Sequence, residues 1–288
     1  MKLIRACLIL SALVAVARPE ADAADDADAI RPAGGPVDLL AGNDLNGLYT
    51  WLRDERYEDP RNVFTVNEGM LRISGDGLGY LITEKSYRDY HLLIEFKWGD
   101  RTWAGRKDRA RDSGVLVHCH GPDGGYGGTW IASVEAQIIE GGVGDLLVLS
   151  GKDPSDGSPV PTSLTASVAK DRDGETVWNP DGEKTSFTSG RINWYGRDPD
   201  WKDEIGFRGP DDVESPFGKW TRMDVICDGG RVVVKVNGVK VNEAFDANPP
   251  SGKILVQTEL AEMFVRRWEL WPLGEAPEFD ADNFRFED

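Results

Sequence analysis

Apolar and polar residues alternate along most of this 288-residue chain with the two-residue period of half-buried β-strands. The clearest run is 90–98, which places Tyr90, Leu92, Ile94, Phe96 and Trp98 on one face and His91, Glu95 and Lys97 on the other, with only Leu93 breaking the pattern. Shorter runs cover 63–66 and 70–74 around the turn Asn67-Glu68-Gly69, then 80–83, 223–227, 231–236, 254–258 and 264–271. Asn237-Gly238 closes a hairpin after the 231–236 run. No segment sustains a 3.6-residue apolar period between helix caps, and 33 glycines with 16 prolines supply turns for many short strands. The pattern predicts one all-β sandwich of two antiparallel sheets, because strands are scattered over the whole length with no polar linker between halves. Between 150 and 219 the alternation dissolves into Gly, Pro, Asp and aromatic residues, a length at which a loop is usually a lid or a binding surface.

The ends read differently. Residues 1–23 have the form of a secretion signal: Lys2 and Arg5, an apolar run over 6–17, and small-residue cleavage options at Ala15-Val16-Ala17 or Ala21-Asp22-Ala23. The run is far short of the roughly 20 residues a spanning helix needs, so the expectation is an exported protein, periplasmic or extracellular, with no membrane span. A disordered leader is expected over 24–36, the folded domain over 37–274 and a tail over 275–288. Cleavage would leave Cys119 and Cys227 as the only cysteines; each lies on an apolar strand face, which favours buried free thiols over a bridge. With 50 acidic against 33 basic residues the chain repels phosphate backbones, which excludes nucleic acid as a partner class. Ten tryptophans point instead to a small carbohydrate, since flat aromatic faces stack on pyranose rings, although most belong in the core.

Candidate chemistry concentrates in 112–145, which carries two of the three histidines as His118-Cys119-His120 and the pattern Glu135-x-Gln137-x-x-Glu140. Strand parity puts Leu116, His118 and His120 on one face and Glu135 with Gln137 on one face of the following strand. Two imidazoles and a carboxylate on neighbouring strands suit either acid–base catalysis or a divalent-metal site with His118, His120 and Glu135 as ligands. A structural role is the alternative: both histidines half-buried and hydrogen-bonded to Glu135 and Gln137. Glu140 has the opposite parity to Glu135, so without a bulge only one of them faces a cleft.

An ordered set of segments resembles the 3-keto-disaccharide hydrolase-like domain family of the concanavalin A-like jelly-roll superfamily: residues 39–45 at the entry, Gly69-Met70-Leu71, 81–85 with Tyr90-His91-Leu92, Asp112-Ser113-Gly114-Val115, residues 135–140, Val236-Asn237-Gly238-Val239 and Trp271-Pro272-Leu273. The match runs over 37–273. The resemblance implies a jelly roll whose concave face binds a sugar oxidised at carbon 3, and cleavage of the glycosidic bond by elimination and hydration. Two positions depart from the family: Arg is frequent where this chain has His118, followed by a shorter connection than 120–130, and Asp is common at the Glu140 position.

A ketone at carbon 3 acidifies the proton on carbon 2, so the chemistry wants a base, a cation or donor for the enolate, and an acid for the leaving group. His118 or His120 is the expected base, or the pair ligates a divalent ion that polarises the ketone; no organic cofactor is implied. Further expected sugar contacts are Gln137, Glu140, Lys85 at the cleft rim, the loop aromatics Trp130, Trp194, Tyr195 and Trp201, and Arg266, a charge on an otherwise apolar strand face. The competing readings are a non-catalytic carbohydrate-binding module of the same fold, which needs no base, and a structural surface protein. A retaining glycosidase would want a carboxylate two or four residues from Glu135 on its own strand, and Gln137 stands there.

Overall fold

The alternation over 90–98 extends through the strand Tyr90–Thr102, and it explains the layers on both sides. Tyr90, Leu92, Ile94, Phe96 and Trp98 enter the main core. On the other face His91 bonds Asp224 at 2.7 Å, Glu95 pairs with Arg266 and Arg267, and the Lys97 ammonium lies 4.7 Å from the Trp220 ring. The structure is a computed structural model and describes residues 28–41 and 44–286. The expected signal segment lies outside them.

Tyr90–Thr102 is the spine of an eleven-stranded antiparallel sheet. On one side it pairs with Thr221–Asp228, followed by Arg231–Val236, Val239–Asn248, Ser163–Lys170 and Thr176–Trp178. On the other it pairs with Ala261–Pro272, followed by Met70–Ile73 and Phe64–Asn67. Val37–Asp38 and Glu183–Phe187 add to this sheet. A second antiparallel sheet of seven runs Gly190–Ile192, Leu146–Leu149, Ala132–Ile139, Asp112–His120, Lys253–Glu259, Leu78–Thr83 and Leu48–Leu52. Val115, Val117, Val134, Ala136, Ile138 and Val256 from the smaller sheet meet Leu92, Ile94, Phe96, Val225, Val234 and Val265 from the larger. Each of the Val, Leu, Ile and Phe side chains among them gains about 1.5–3 kcal/mol on leaving water, which fixes which face of each strand is inside. This is the expected jelly-roll sandwich. Among the described residues the helical structure is one 3-10 turn, Ala104–Arg106. Asn237 and Gly238 take φ of 46° and 81° in the tight turn between the facing residues Val236 and Val239. Cys119 and Cys227 are free and buried.

Two expectations about the connecting segments are corrected, and a third is given its place. Residues 28–36 of the expected leader are placed: Ile30 packs against the core, its N–H donates to Ser86 O (2.9 Å) and its carbonyl accepts from Arg88 N (3.0 Å). The 150–219 region is not one long loop, since Ser163–Lys170 joins the larger sheet; its inward residues Leu164 and Ala166 are too few and too small to mark a strand by pattern. The tail folds back on the outer face of the larger sheet, where Arg222 donates to Pro277 O and Arg266 to Arg285 O, both at 2.7 Å.

Candidate functional site

The parity argument for the histidines holds from Asp112 to Val117 and then fails. Leu116 faces Glu135 and Val117 faces Val134, but the next paired residue, His120, faces Ala132, so His118 and Cys119 together oppose Ser133. This is a β-bulge, with His118 at φ 54°. Cys119 consequently joins Leu116 in the apolar cluster on the outer face of the smaller sheet. His118 is fully buried. The ring nitrogens of His120 face two main-chain acceptors, Nδ1 at 2.9 Å from His118 O and Nε2 at 3.1 Å from Pro161 O. The expected convergence of His118, His120 and Glu135 is therefore not built, and these residues do not form a ligand set. Among the described residues the acidic group that could hold a cation is Asp171, Asp173 and Glu175, whose ligand atoms lie within 4.8 Å of one another on the turn after Ser163–Lys170 in the larger sheet.

Glu135 has other company. A cavity of about 230 Å³ opens on the outer face of the smaller sheet, and Glu135 and Gln137 share it with Asp112, Gln257, Glu259 and Arg191. Alternation delivers each pair to this face: residues 135 and 137 lie opposite the core residues Val134, Ala136 and Ile138, and residue 257 lies opposite Ile254 and Val256. Gly114 leaves the floor open. A Cβ there would stand 2.5 Å from both Glu135 Oε1 and Gln257 Oε1, so no other residue fits without moving them. Gln137 donates to Asp112 Oδ1 and to Ser113 O (3.2 Å), and Arg191 donates to Gln137 Oε1 (3.4 Å) and Asp145 Oδ2 (2.9 Å). Arg106 pairs with Asp112 and lies 3.6 Å from Glu259.

Burial is the first cause that pushes the Glu135 carboxyl up to about 8, and the Asp112 charge is the second; Arg191 and a hydrogen bond from Gln257 oppose it. Asp112 is raised well above the usual carboxylate range by burial and then by Glu259, and Glu259 is raised by burial and then by Glu135. Three carboxyl groups so crowded cannot all ionise together. The arrangement holds protons close to neutral pH beside two guanidinium groups, which is what proton transfer to and from a ligand needs.

The other end of the same face is built differently. Asp123 accepts hydrogen bonds from Tyr80 (2.6 Å), Tyr49 (3.2 Å) and Tyr57 (3.1 Å), and Lys253 donates to the Tyr49 hydroxyl (3.1 Å). Burial first and the Asp123 charge second raise the Tyr49 and Tyr80 phenols far above their usual range, which keeps them neutral donors.

The remaining expected contacts divide. Trp130 is half-buried and lines the cavity with Tyr126, and Gly190 and Arg191 reach it from the strand Gly190–Ile192. Trp194 does not reach it: it is core, 1% exposed, in a space that Gly196 provides by having no side chain. Tyr195 is exposed beside Trp178 and Lys240 in a separate pocket at the edge of the larger sheet. Trp201 donates its indole N–H to Glu140 O (2.9 Å) under the Arg197 guanidinium. Glu140 is buried in an ion pair with Arg111 (2.7 Å) and accepts from the N–H groups of Arg111 and Gly206, so it anchors a loop. Lys85 is exposed on a turn, and Arg266 spends its charge on Glu95 at the opposite side of the molecule. Sequence reading missed Asp112, Arg191, Gln257 and Glu259. For the last two a signal existed, because Gln257 and Glu259 fall on one parity of an otherwise apolar strand.

A family model described as the 3-keto-alpha-glucoside-1,2-lyase-like domain matches residues 35–270. Among solved structures, a proposed glycosyl hydrolase of Parabacteroides distasonis is 18% identical, with 82% of this chain and 98% of that chain covered at a TM-score of 0.45. The carbohydrate-binding module CBM66 of Bacillus subtilis is 10% identical (77% and 93% covered, TM-score 0.42), and the β-glucanase of Bacillus licheniformis 11% (83% and 99% covered, TM-score 0.41). Likeness at this level says nothing of activity. No curated protein matches the chain.

Proposed function

The chain belongs to the 3-keto-alpha-glucoside-1,2-lyase-like domain family, and from that premise we propose that it is an exported enzyme that cleaves the glycosidic bond of 3-keto-glycosides by elimination and hydration. The observation that carries the reading is the cavity in which Asp112, Glu135 and Glu259 crowd together between Arg106 and Arg191. An ionised carboxylate, for which Glu135 over Gly114 is the best placed, takes the proton from carbon 2. The electron pair passes into an enolate at the carbon 3 oxygen, where the guanidinium charge of Arg191 favours it. Collapse of the enolate restores the ketone, forms the double bond between carbons 1 and 2 and breaks the bond from carbon 1 to the glycosidic oxygen, which takes a proton from a still-protonated carboxyl of the cluster. Water then adds across the new double bond. Tyr126 and Trp130 supply aromatic walls for the ring. The ligand set expected for a divalent ion is not assembled, so no step runs through a metal. Export rests on the sequence of 1–23.

One observation favours the binding-module reading: His118 and His120 stand apart from Glu135, which removes the base first expected. Incubating the purified protein with a 3-keto-glucoside and with its unoxidised parent separates the two. Release of the aglycone from the keto sugar alone, lost in Glu135→Gln, supports the enzyme; tight binding without release in the wild type makes the protein a binding module.

A further inference from the structure

Gln257 is 2% exposed, and its side-chain oxygen has no hydrogen-bond partner, unlike the oxygen of Gln137, which accepts from Arg191. A buried acceptor left open is costly, and such a group is normally satisfied by something that comes to it. The same amide bears on the Glu135 carboxyl, whose upward shift it opposes. That oxygen and Glu135 Oε1 flank a single point above Gly114, each 2.5 Å from the position a Cβ would take. Whatever sits above Gly114 meets both at once.

We infer that Gln257 determines specificity at carbon 2 of the sugar: its Oε1 accepts the carbon 2 hydroxyl while Glu135 faces the hydrogen on the same carbon. The inference rests on the proposed function. An amide oxygen demands a donor, which excludes the ketone itself. Carbons 2 and 4 both flank the ketone and both carry a hydrogen and a hydroxyl, but only proton loss from carbon 2 expels the group on carbon 1. The epimer at carbon 2 exchanges the two substituents, so its hydroxyl would meet Glu135 and its hydrogen Gln257, and the base would have no proton to take. The site therefore selects a 3-keto sugar with one carbon 2 configuration and requires that hydroxyl.

The test compares kcat/KM for a 3-keto-glucoside, its 2-deoxy analogue and its carbon 2 epimer, in wild type, Gln257→Leu and Gln257→Glu. A site built around a hydroxyl discriminates strongly against an analogue that lacks it, here by at least about 100-fold. Gln257→Leu is expected to erase the gap between the parent and the 2-deoxy sugar, whatever common factor the lost contact with Glu135 applies to both, and Gln257→Glu, which keeps an acceptor, to restore part of the preference. A merely structural glutamine would lower all substrates by one factor. Equal wild-type turnover of parent and 2-deoxy sugar, or equal losses in Gln257→Leu, overturns the inference and leaves the proposed function standing. Should nothing be turned over, calorimetric binding of the same sugars decides: a preference for the parent that vanishes in Gln257→Leu sustains the assignment and removes the enzyme, while no binding of any of them removes both.

Discussion

The outer face of the smaller sheet carries two polar clusters side by side, and they solve opposite problems. Around Asp123, one carboxylate receives three phenol hydroxyls, and each partner satisfies the other. Around Glu135, three carboxyl groups share two arginines, and a buried amide oxygen is left open. The first cluster is finished without a ligand; the second is not. A satisfied network rigidifies, whereas like charges forced together keep protons ready to move, and the contrast makes the Glu135 end the one suited to the proposed chemistry.

The contrast breaks most directly by substitution at its two centres. Glu135→Gln is expected to lower turnover of a 3-keto-glucoside by about 100- to 10,000-fold, the usual cost of a lost general base, with the circular dichroism spectrum unchanged. Asp123→Ala should do the reverse: leaving the buried Tyr80 hydroxyl unpaired costs about 1–3 kcal/mol of stability, read as a lowered urea midpoint, while turnover stays within about tenfold. If both variants lose activity alike, the two ends are one site.

Acid–base behaviour sharpens the comparison. Glu135 stays neutral in the folded protein up to about pH 8 but ionises near 4.5 when unfolded. Between those values the unfolded chain binds fewer protons, so this group's contribution to stability falls as pH rises and levels off above 8. Glu135→Gln, neutral throughout, should therefore gain on the wild type between pH 5 and 8, by at least about 3 °C in Tm by scanning calorimetry. Turnover should rise over the upper part of that range as the base ionises. The smallest effect is expected at His120, outside both clusters: His120→Ala should keep kcat/KM within about threefold, since its ring serves two backbone carbonyls.

Alternation made the sandwich legible, because a core that accepts one face of each strand writes a period of two into the sequence. It also placed Glu135 and Gln137 correctly on one face. It failed at His118, where a bulge inserts a residue without Gly or Pro to announce it, and every parity argument beyond that point shifts by one. Trp194 misled for a related reason: a tryptophan in a glycine-rich loop looks exposed, yet the glycine two residues on is what lets the indole turn inward. Arg191 and Glu259 come from strands distant in sequence, so only the three-dimensional register brings them beside Glu135, whereas Asp112 lies on the neighbouring strand at the parity of Leu116.

The segment that carries Asp123 also carries Tyr126 and Trp130, whose backbones bond each other at 2.8 and 2.9 Å. Three tyrosines hold one end of this short segment, and its far end walls the cavity. A wall already fixed has little conformational entropy left to lose when a ligand arrives. Association should then proceed without a slow ordering phase, as a single exponential whose rate climbs linearly with ligand concentration.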